Sequence, residues 1–281
     1  MSDGCTIGAK RIGTRVLTFK NRDLVYADFK SVVSFDAQVF AVTGVDIATG
    51  VPSGVSIGVN RHGLSACSAT VLIGTGSPYD PLLDEILRQC KDVRSAHRIV
   101  TGRLQAGERY QWCNIVVAST DEVGAIEIGD GVCDLETDKT QIVRTNHHLR
   151  LPTTDTVGKA GPEQREAAGP LYTSQHRRQV ASDILKTVTT LTDVTSLVSQ
   201  HSEDRGFSSI CRHKDGDSQG IPLMGETSYS YVIEVSAPKR RAIQVSIHAV
   251  RGNPCSHPFR TLALDFDASP SEKARIVSAF P

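Results

Sequence analysis

The pattern of apolar and polar residues predicts strands from Cys5 to about Phe40. Residues 15–19 are β-branched and aromatic, and residues 31–40 partly alternate between apolar and polar side chains, which predicts strands. Residues 55–59 and 64–72 predict a β-hairpin. The segment between them contains an Asn and a Gly, residue types that suit turn positions with positive φ.

The spacing of apolar residues becomes helical after position 80. Residues 81–102 carry apolar side chains every three or four positions, and we expect Asp80 to cap this helical region with Pro81 at its first position. Val93 is expected to begin a second helix, which Asp92 caps.

The rest of the chain alternates between the two patterns. Strands are predicted at 112–119, 124–128 and 141–144, helices at 174–185 and 193–201, and further strands at 228–235, 242–250 and 259–266. This order favours an α+β fold with two sheets sandwiched between helix layers. Residues 149–171 are polar and rich in Gly, Pro and Thr, which predicts a long loop suited to act as a lid.

Composition and charge narrow the function classes. The chain has 31 basic and 31 acidic residues and no long basic stripe, so we expect no nucleic-acid partner. No stretch reaches the roughly 18 consecutive apolar residues of a membrane helix, so no membrane partner is expected. The polar first residues lack the apolar core of a secretory signal. We therefore expect a cytoplasmic protein.

The cysteines predict a reducing compartment and single out one residue. There are seven, an odd number, without a C-x-x-C pair, so neither a metal site nor another cofactor is expected. Most lie in apolar surroundings and are interpreted as small core residues. Cys5 is different, because it follows Gly4 near the start of the chain.

Several short motifs, in order along nearly the whole chain, carry a resemblance to a known superfamily. They are Asp3-Gly4-Cys5-Thr6, Asn21-Arg22-Asp23, Gly58-Val59-Asn60-Arg61-His62-Gly63-Leu64, Thr145-Asn146-His147, Ser174-Gln175-His176-Arg177 and Gly252-Asn253-Pro254-Cys255. With them the chain resembles the N-terminal nucleophile hydrolases. Within these it is most similar to the branch holding acyl-coenzyme A:6-aminopenicillanic acid acyltransferase, penicillin V acylase and bile-salt (choloylglycine) hydrolase.

The resemblance implies a fold and a maturation step. The fold would be a four-layer αββα sandwich formed by a single domain, residues 5–281. Residues 1–4 would be a short propeptide, removed when the chain cuts itself between Gly4 and Cys5. Cys5 would then be the N-terminal nucleophile.

The chemistry of a terminal cysteine agrees with this. A free thiol has a pKa of about 8.5 and an α-amino group about 7.7–8.0, so part of the amine is unprotonated at neutral pH and can accept the thiol proton. The cut would run as an N-to-S acyl shift, in which the Cys5 thiol attacks the Gly4 carbonyl and water resolves the ester. Gly4 suits the step because it has no side chain to block attack.

The resemblance also assigns roles to three polar residues. Asp23 would orient Cys5 through a hydrogen bond to its α-amine or sulfur. Asn146 would supply a side-chain N–H to the oxyanion, and losing such a donor typically costs roughly 10²–10³ in turnover. The second oxyanion donor would be the backbone N–H of Thr70.

Two basic residues complete the predicted site. Lys20 lies where bile-salt hydrolases carry Arg, and a cation there would lower the pKa of the thiol; Arg22 is the alternative. Arg177 matches the arginine of the S-x-x-R motif, with Arg178 as the alternative if the register slips by one.

These assignments predict cleavage of a linear, non-peptide amide through a thioester on Cys5. The alternative within the superfamily is an acyltransferase that passes the acyl group to an amine. A second alternative is a non-catalytic binding module on the same fold. The expected partner is a small-molecule amide or acyl substrate, and the resemblance further suggests a homo-oligomer.

Overall fold

The computed structural model describes residues 4–24, 30–46, 49–72, 76–151, 170–203, 205–214, 225–237 and 242–281. Residues 1–3 of the predicted propeptide and most of the predicted lid loop lie outside these ranges. Within them the chain forms 13 strands and five helices.

The strands are β1 (Cys5–Ile12), β2 (Arg15–Leu24), β3 (Val33–Phe35), β4 (Val39–Val45), β5 (Pro52–Asn60), β6 (Ser65–Leu72), β7 (Trp112–Ala118), β8 (Val123–Gly129), β9 (Val132–Asp138), β10 (Gln141–Arg144), β11 (Glu226–Ser236), β12 (Gln244–Arg251) and β13 (Arg260–Ala263). The helices are α1 (Asp80–Gln89), α2 (Val93–Gln105), α3 (Pro170–Thr187), α4 (Leu191–Val198) and α5 (Pro270–Ser278).

Two antiparallel sheets stack between helix layers, as the sequence predicted. The first has the order β10-β1-β2-β11-β12-β13, and the second the order β3-β4-β5-β6-β7-β8-β9. One apolar core fills the space between the sheets, a second lies between the second sheet and α1–α2, and a third lies between the first sheet and α3–α4. The architecture is therefore a four-layer αββα sandwich.

Local sequence signals explain most element boundaries. Asp92 caps α2 through a reciprocal capping box with Ser95, as predicted. Gly63 adopts a positive φ of 80° in the hairpin between β5 and β6, as predicted, whereas Asn60 does not and instead accepts hydrogen bonds at Oδ1 from the turn backbone. The segment predicted as one strand at 31–40 is instead divided into β3 and β4, because the Asp36 carboxylate accepts hydrogen bonds from the backbone N–H groups of Gln38 and Val39 and bends the chain.

The predicted cap at Asp80 is wrong. Asp80 is the first helical residue of α1, and the N-cap is Tyr79, which makes no side-chain cap hydrogen bond. The Asp80 carboxyl is buried, and burial raises its pKa to about 7, opposed by the nearby cations Lys20 and Arg22. It thus faces the interior of the protein rather than the open end of the helix.

No helix formed by the described residues is long and apolar enough to cross a membrane.

Candidate active site

The pairing of β1 with β2 decides which side chains share a face. Cys5 lies opposite Arg22, and Thr6 lies opposite Asn21. Because opposed residues of an antiparallel pair point to the same face and neighbours point to opposite faces, Cys5 faces the core between the sheets. Asp23 lies on the other face, with Thr6 and Asn21, toward α3 and α4.

The peptide bond between Gly4 and Cys5 is held at both of its polar atoms. The Gly4 carbonyl oxygen accepts a hydrogen bond from the Asp23 backbone N–H at 2.9 Å. The Cys5 backbone N–H donates to Asn146 Oδ1 at 3.1 Å. Cys5 itself is only 6% exposed. The bond predicted to be cut is therefore fixed in a buried position.

Asn146 connects the Gly4–Cys5 bond to the second sheet. It follows β10, and its backbone N–H donates to Ser174 Oγ at 2.9 Å, which ties the end of the strand to α3. Its side-chain amide donates from Nδ2 to the Thr70 carbonyl oxygen at 2.7 Å. Thr70 thus contacts Asn146 through its carbonyl oxygen, and the oxyanion role of its backbone N–H stays a prediction. The Thr70 hydroxyl hydrogen-bonds to the Tyr79 hydroxyl.

Arg177 extends from α3 into the same site. Its Nη1 donates to the Cys5 carbonyl oxygen at 2.8 Å and to Thr6 Oγ1 at 3.1 Å, and its Nη2 donates to Asn146 Oδ1 at 2.9 Å. Burial lowers the pKa of Arg177 to about 10, with Arg212 adding to the effect. The structure places Arg177, rather than the alternative Arg178, in contact with Cys5.

Asp23 lies against a buried arginine that the sequence did not single out. Its Oδ1 accepts a hydrogen bond from Thr227 Oγ1 at 2.7 Å, and its Oδ2 lies 3.7 Å from Arg212 Nη2. Both side chains of this ion pair are almost completely buried. Burial raises the pKa of Asp23, and Arg212 and then Arg177 oppose the rise.

In the uncut chain the Asp23 carboxylate is held by Thr227 and Arg212, and its predicted hydrogen bond to the α-amine of the mature enzyme stays a prediction. The Oδ2 atom has no hydrogen-bond partner among the described residues. Alternation along β2 turns the carboxylate away from the face that the Cys5 side chain occupies. The backbone of Asp23, through the Gly4 carbonyl, is the part that reaches the bond to be cut.

Arg212 is the functional candidate that sequence reasoning missed. Its guanidinium lies over the Phe207 ring, 4.6 Å from the centroid, and stands against Gly4. The sequence gives no sign of this role, because Asp23, the partner of Arg212, is almost 200 positions away in the chain.

Lys20 shares the inter-sheet face with Cys5. Its Nζ donates to Ser56 Oγ at 2.6 Å and to the Ser68 carbonyl at 2.7 Å, so it bridges to the second sheet. Burial lowers the pKa of Lys20, and the Cys5 thiol opposes this effect. The alternative, Arg22, donates to the Thr43 carbonyl oxygen at 3.0 Å.

The two histidines after Asn146 make local hydrogen bonds. His147 Nδ1 lies 2.8 Å from Ser174 Oγ, and His148 Nε2 lies 3.2 Å from the Cys113 carbonyl oxygen. Burial lowers the pKa of His147 to about 3, so its ring is neutral. These contacts explain both side chains as parts of the scaffold around the site.

The architecture is that of the N-terminal nucleophile hydrolases. Two solved structures of conjugated bile acid hydrolase from Clostridium perfringens share it. One, a mutant, has a TM-score of 0.50 at 10% identity, covering 94% of this chain and 98% of that one. The other, a variant, has a TM-score of 0.51 at 11% identity with the same coverage.

Penicillin V acylase from Agrobacterium tumefaciens is similar with a TM-score of 0.49 at 11% identity, covering 90% of this chain and 93% of that one. No protein-family model matches the sequence, and the search of curated proteins found no match. The likeness to the two bile acid hydrolase structures, at 10% and 11% identity, shows the fold alone, so the chemistry has to be argued from the residues themselves.

Proposed function

We propose that this chain is a cysteine amidohydrolase that cuts itself between Gly4 and Cys5 and then hydrolyses a linear amide through a thioester on Cys5. The observation that carries the proposal is the fixation of the Gly4–Cys5 peptide at both ends, by Asp23 N–H and Asn146 Oδ1. The fold, shared with a conjugated bile acid hydrolase, supports it.

This placement supports self-cleavage. The Cys5 sulfur attacks the Gly4 carbonyl carbon and closes a five-membered ring, while the carbonyl oxygen gains negative charge opposite the Asp23 N–H that already donates to it. Breaking the C–N bond gives a thioester and a free Cys5 amine, which takes up the proton lost by the thiol. One water then hydrolyses the thioester, releasing the Gly4 carboxylate and the thiol.

The released amine is the general base of the mature enzyme. It forms where the Cys5 backbone nitrogen now contacts Asn146 Oδ1. Arg177 holds the Cys5 carbonyl and Asn146 Oδ1 together, so the amine is fixed close to its own sulfur. The nearby positive charges of Arg177 and Arg212 favour the unprotonated amine, which is the form that accepts the thiol proton.

The substrate carbonyl needs a donor for its developing negative charge. Asn146 Nδ2 belongs to the amide whose Oδ1 accepts the Cys5 backbone N–H, and it now donates to the Thr70 carbonyl oxygen. A substrate oxygen that competes for this N–H would receive the stabilisation expected of an oxyanion hole.

The test is to trap the acyl-enzyme. Each purified protein is incubated with a panel of N-acyl p-nitroanilides, and the amine released and the mass of the protein are measured together. We expect turnover and an acyl adduct on Cys5 in the wild type and in Cys90→Ala. The Cys90 thiol is buried between the second sheet and α1–α2, away from Cys5. Cys5→Ala should show neither.

Turnover that survives in Cys5→Ala would overturn the proposal. Adding hydroxylamine separates hydrolysis from acyl transfer, because a hydroxamate that forms faster than the free acid identifies an acyltransferase with the same nucleophile.

A further inference from the structure

Four side chains with soft or borderline ligand atoms meet beside Arg212. They are His201, Cys211, His213 and Cys255. His201 follows α4, Cys211 and His213 flank Arg212, and Cys255 lies in the turn after β12. The Cys211 backbone N–H donates to the Gln200 carbonyl oxygen at 2.6 Å, which joins the segment around Arg212 to the segment after α4.

The distances among Cys211, His213 and Cys255 suit one small cation, and His201 lies close to the last two. The ligand atoms of His201, His213 and Cys255 all lie within 4.8 Å of one another. Cys255 Sγ is 3.2 Å from His213 Nε2 and 3.6 Å from Cys211 Sγ. The distance between Cys211 Sγ and His213 Nε2 is 3.8 Å. A tetrahedron with ordinary Zn–S and Zn–N bond lengths has edges of about 3.3–3.8 Å.

We propose that His201, Cys211, His213 and Cys255 bind one divalent metal ion of the zinc class. Both thiols give their protons to solvent on binding, and the two thiolates balance the charge of the ion. The Cys₂His₂ set is a common ligand set for structural zinc. Cys211 and His213 are buried, whereas His201 and Cys255 are exposed, which leaves an open side for the ion to enter.

The site would position Arg212. Two of the four ligands are the direct neighbours of Arg212 in sequence, and its carbonyl oxygen accepts hydrogen bonds from Asn253 Nδ2 at 2.7 Å and from the Thr227 backbone N–H at 3.0 Å. Thr227 in turn bonds Asp23. A metal that clamps residues 211 and 213 to residue 255 therefore fixes the guanidinium opposite Asp23 and Gly4.

The first experiment measures metal content and affinity without any enzyme assay. The protein is stripped with a chelator under reducing conditions and titrated with Co²⁺ and then Zn²⁺, following cobalt–thiolate absorbance and proton release. We expect about one ion per chain. Protons should be released as the ion binds, because the ligands bind metal in their deprotonated form. Cys255→Ser should weaken binding by more than about 100-fold, because even changes outside the ligand set cost about 10–100-fold.

The matched control is Cys133→Ser. This thiol also lies beside a histidine, with Sγ 3.7 Å from His97 Nε2, but it is outside the cluster. It should keep wild-type metal binding. Equal affinity in Cys255→Ser and wild type would overturn the proposal, and so would a metal-free protein in which peptide mapping finds a disulfide between Cys211 and Cys255.

Metal binding is also measured in Cys5→Ala, which separates this proposal from the proposed function. We expect the variant to bind the ion like the wild type. Chelation should slow self-cleavage of the wild-type precursor while the far-ultraviolet circular dichroism stays the same, and added Zn²⁺ should restore the rate. An unchanged rate after complete removal of the metal would contradict the positioning of Arg212 by the ion.

Discussion

Gly4 lies where the protein leaves room for a hydrogen atom only. A Cβ placed on it would stand 2.4 Å from Arg212 Nη2. Arg212 has little freedom to withdraw, because its guanidinium is buried between Asp23 and the Phe207 ring. The residue before the nucleophile and the cation that balances Asp23 are therefore coupled through direct packing.

Gly4→Ala should slow self-cleavage by about 100-fold, since a displacement of about 1 Å near reacting groups can cost that much. The rate of loss of residues 1–4 is followed by mass spectrometry after translation in vitro. Gly102→Ala is the control, because a Cβ at that helical position meets nothing within 4 Å. Equal rates for the two variants would contradict the coupling of Gly4 to Arg212.

The chemistry of the site could be predicted from sequence only where the residues stand in short motifs. Gly4, Cys5 and Asp23 fall within two such motifs, and Asn146 within a third. Arg212 could not be predicted, because a charged residue is recognised as buried only when its partner is known. The proposed metal ligands have the same difficulty, since they are collected from three separate segments and show no ligand spacing.

At the scale of elements, two asparagines connect the sheets to the helix layers. Asn21 in β2 donates from Nδ2 to the carbonyls of Val198 and Ile210 at 2.7 and 2.8 Å and accepts from Ser230 Oγ at 2.7 Å. Asn60 in β5 holds the end of α1 in the same way, through the carbonyls of Leu87 and Cys90. The Asn of the Asn-Arg-Asp motif is thus a structural link that fixes Asp23 two residues later.

Asn21→Leu should lower the free energy of unfolding by about 3 kcal/mol or more, because it leaves two buried carbonyls and one hydroxyl without their partner. Ser230→Ala removes a single donor and should cost about 1 kcal/mol. Urea denaturation measures both. A smaller loss for Asn21→Leu than for Ser230→Ala would show that the amide does not link the layers.

The sequence did not predict β9 and α5, for different reasons. The edge strand β9 is mostly polar and half-exposed, so it carries no clear alternation of apolar residues. Helix α5 has a readable start, since Ser269 and Glu272 form a capping box with Pro270 between them, but its apolar positions are few. Its core contacts are made partly by Phe280, beyond its last turn, against Phe40 and Tyr231.

At the scale of the whole molecule, burying polar groups between layers makes stability depend on pH. His147 is neutral in the folded protein, with a pKa lowered to about 3 by burial and by Arg178, Arg177 and Arg144. In the unfolded chain a histidine has a pKa of about 6.5. Between these values the unfolded state binds more protons, so stability is lost as the pH falls from about 6.5 toward 3.

His147→Gln should remove this dependence. Between pH 7 and pH 5 the free energy of unfolding should fall by about 2 kcal/mol more in the wild type than in the variant. This figure comes from about 1.4 kcal/mol for each pH unit below the pKa of the histidine in the unfolded chain. Chemical denaturation at the two pH values gives the difference. Parallel losses in the two proteins would mean that the ring is protonated in the folded state.

The central claim is that Cys5 becomes the N-terminus by its own chemistry, and intact-protein mass spectrometry tests it most directly. Wild type, Cys5→Ala and Cys90→Ala are expressed and purified identically. The account predicts that wild type and Cys90→Ala lack residues 1–4, while Cys5→Ala keeps Ser2, Asp3 and Gly4, with or without Met1. A wild-type protein that retains these three residues, or a Cys5→Ala protein that loses them, would contradict it.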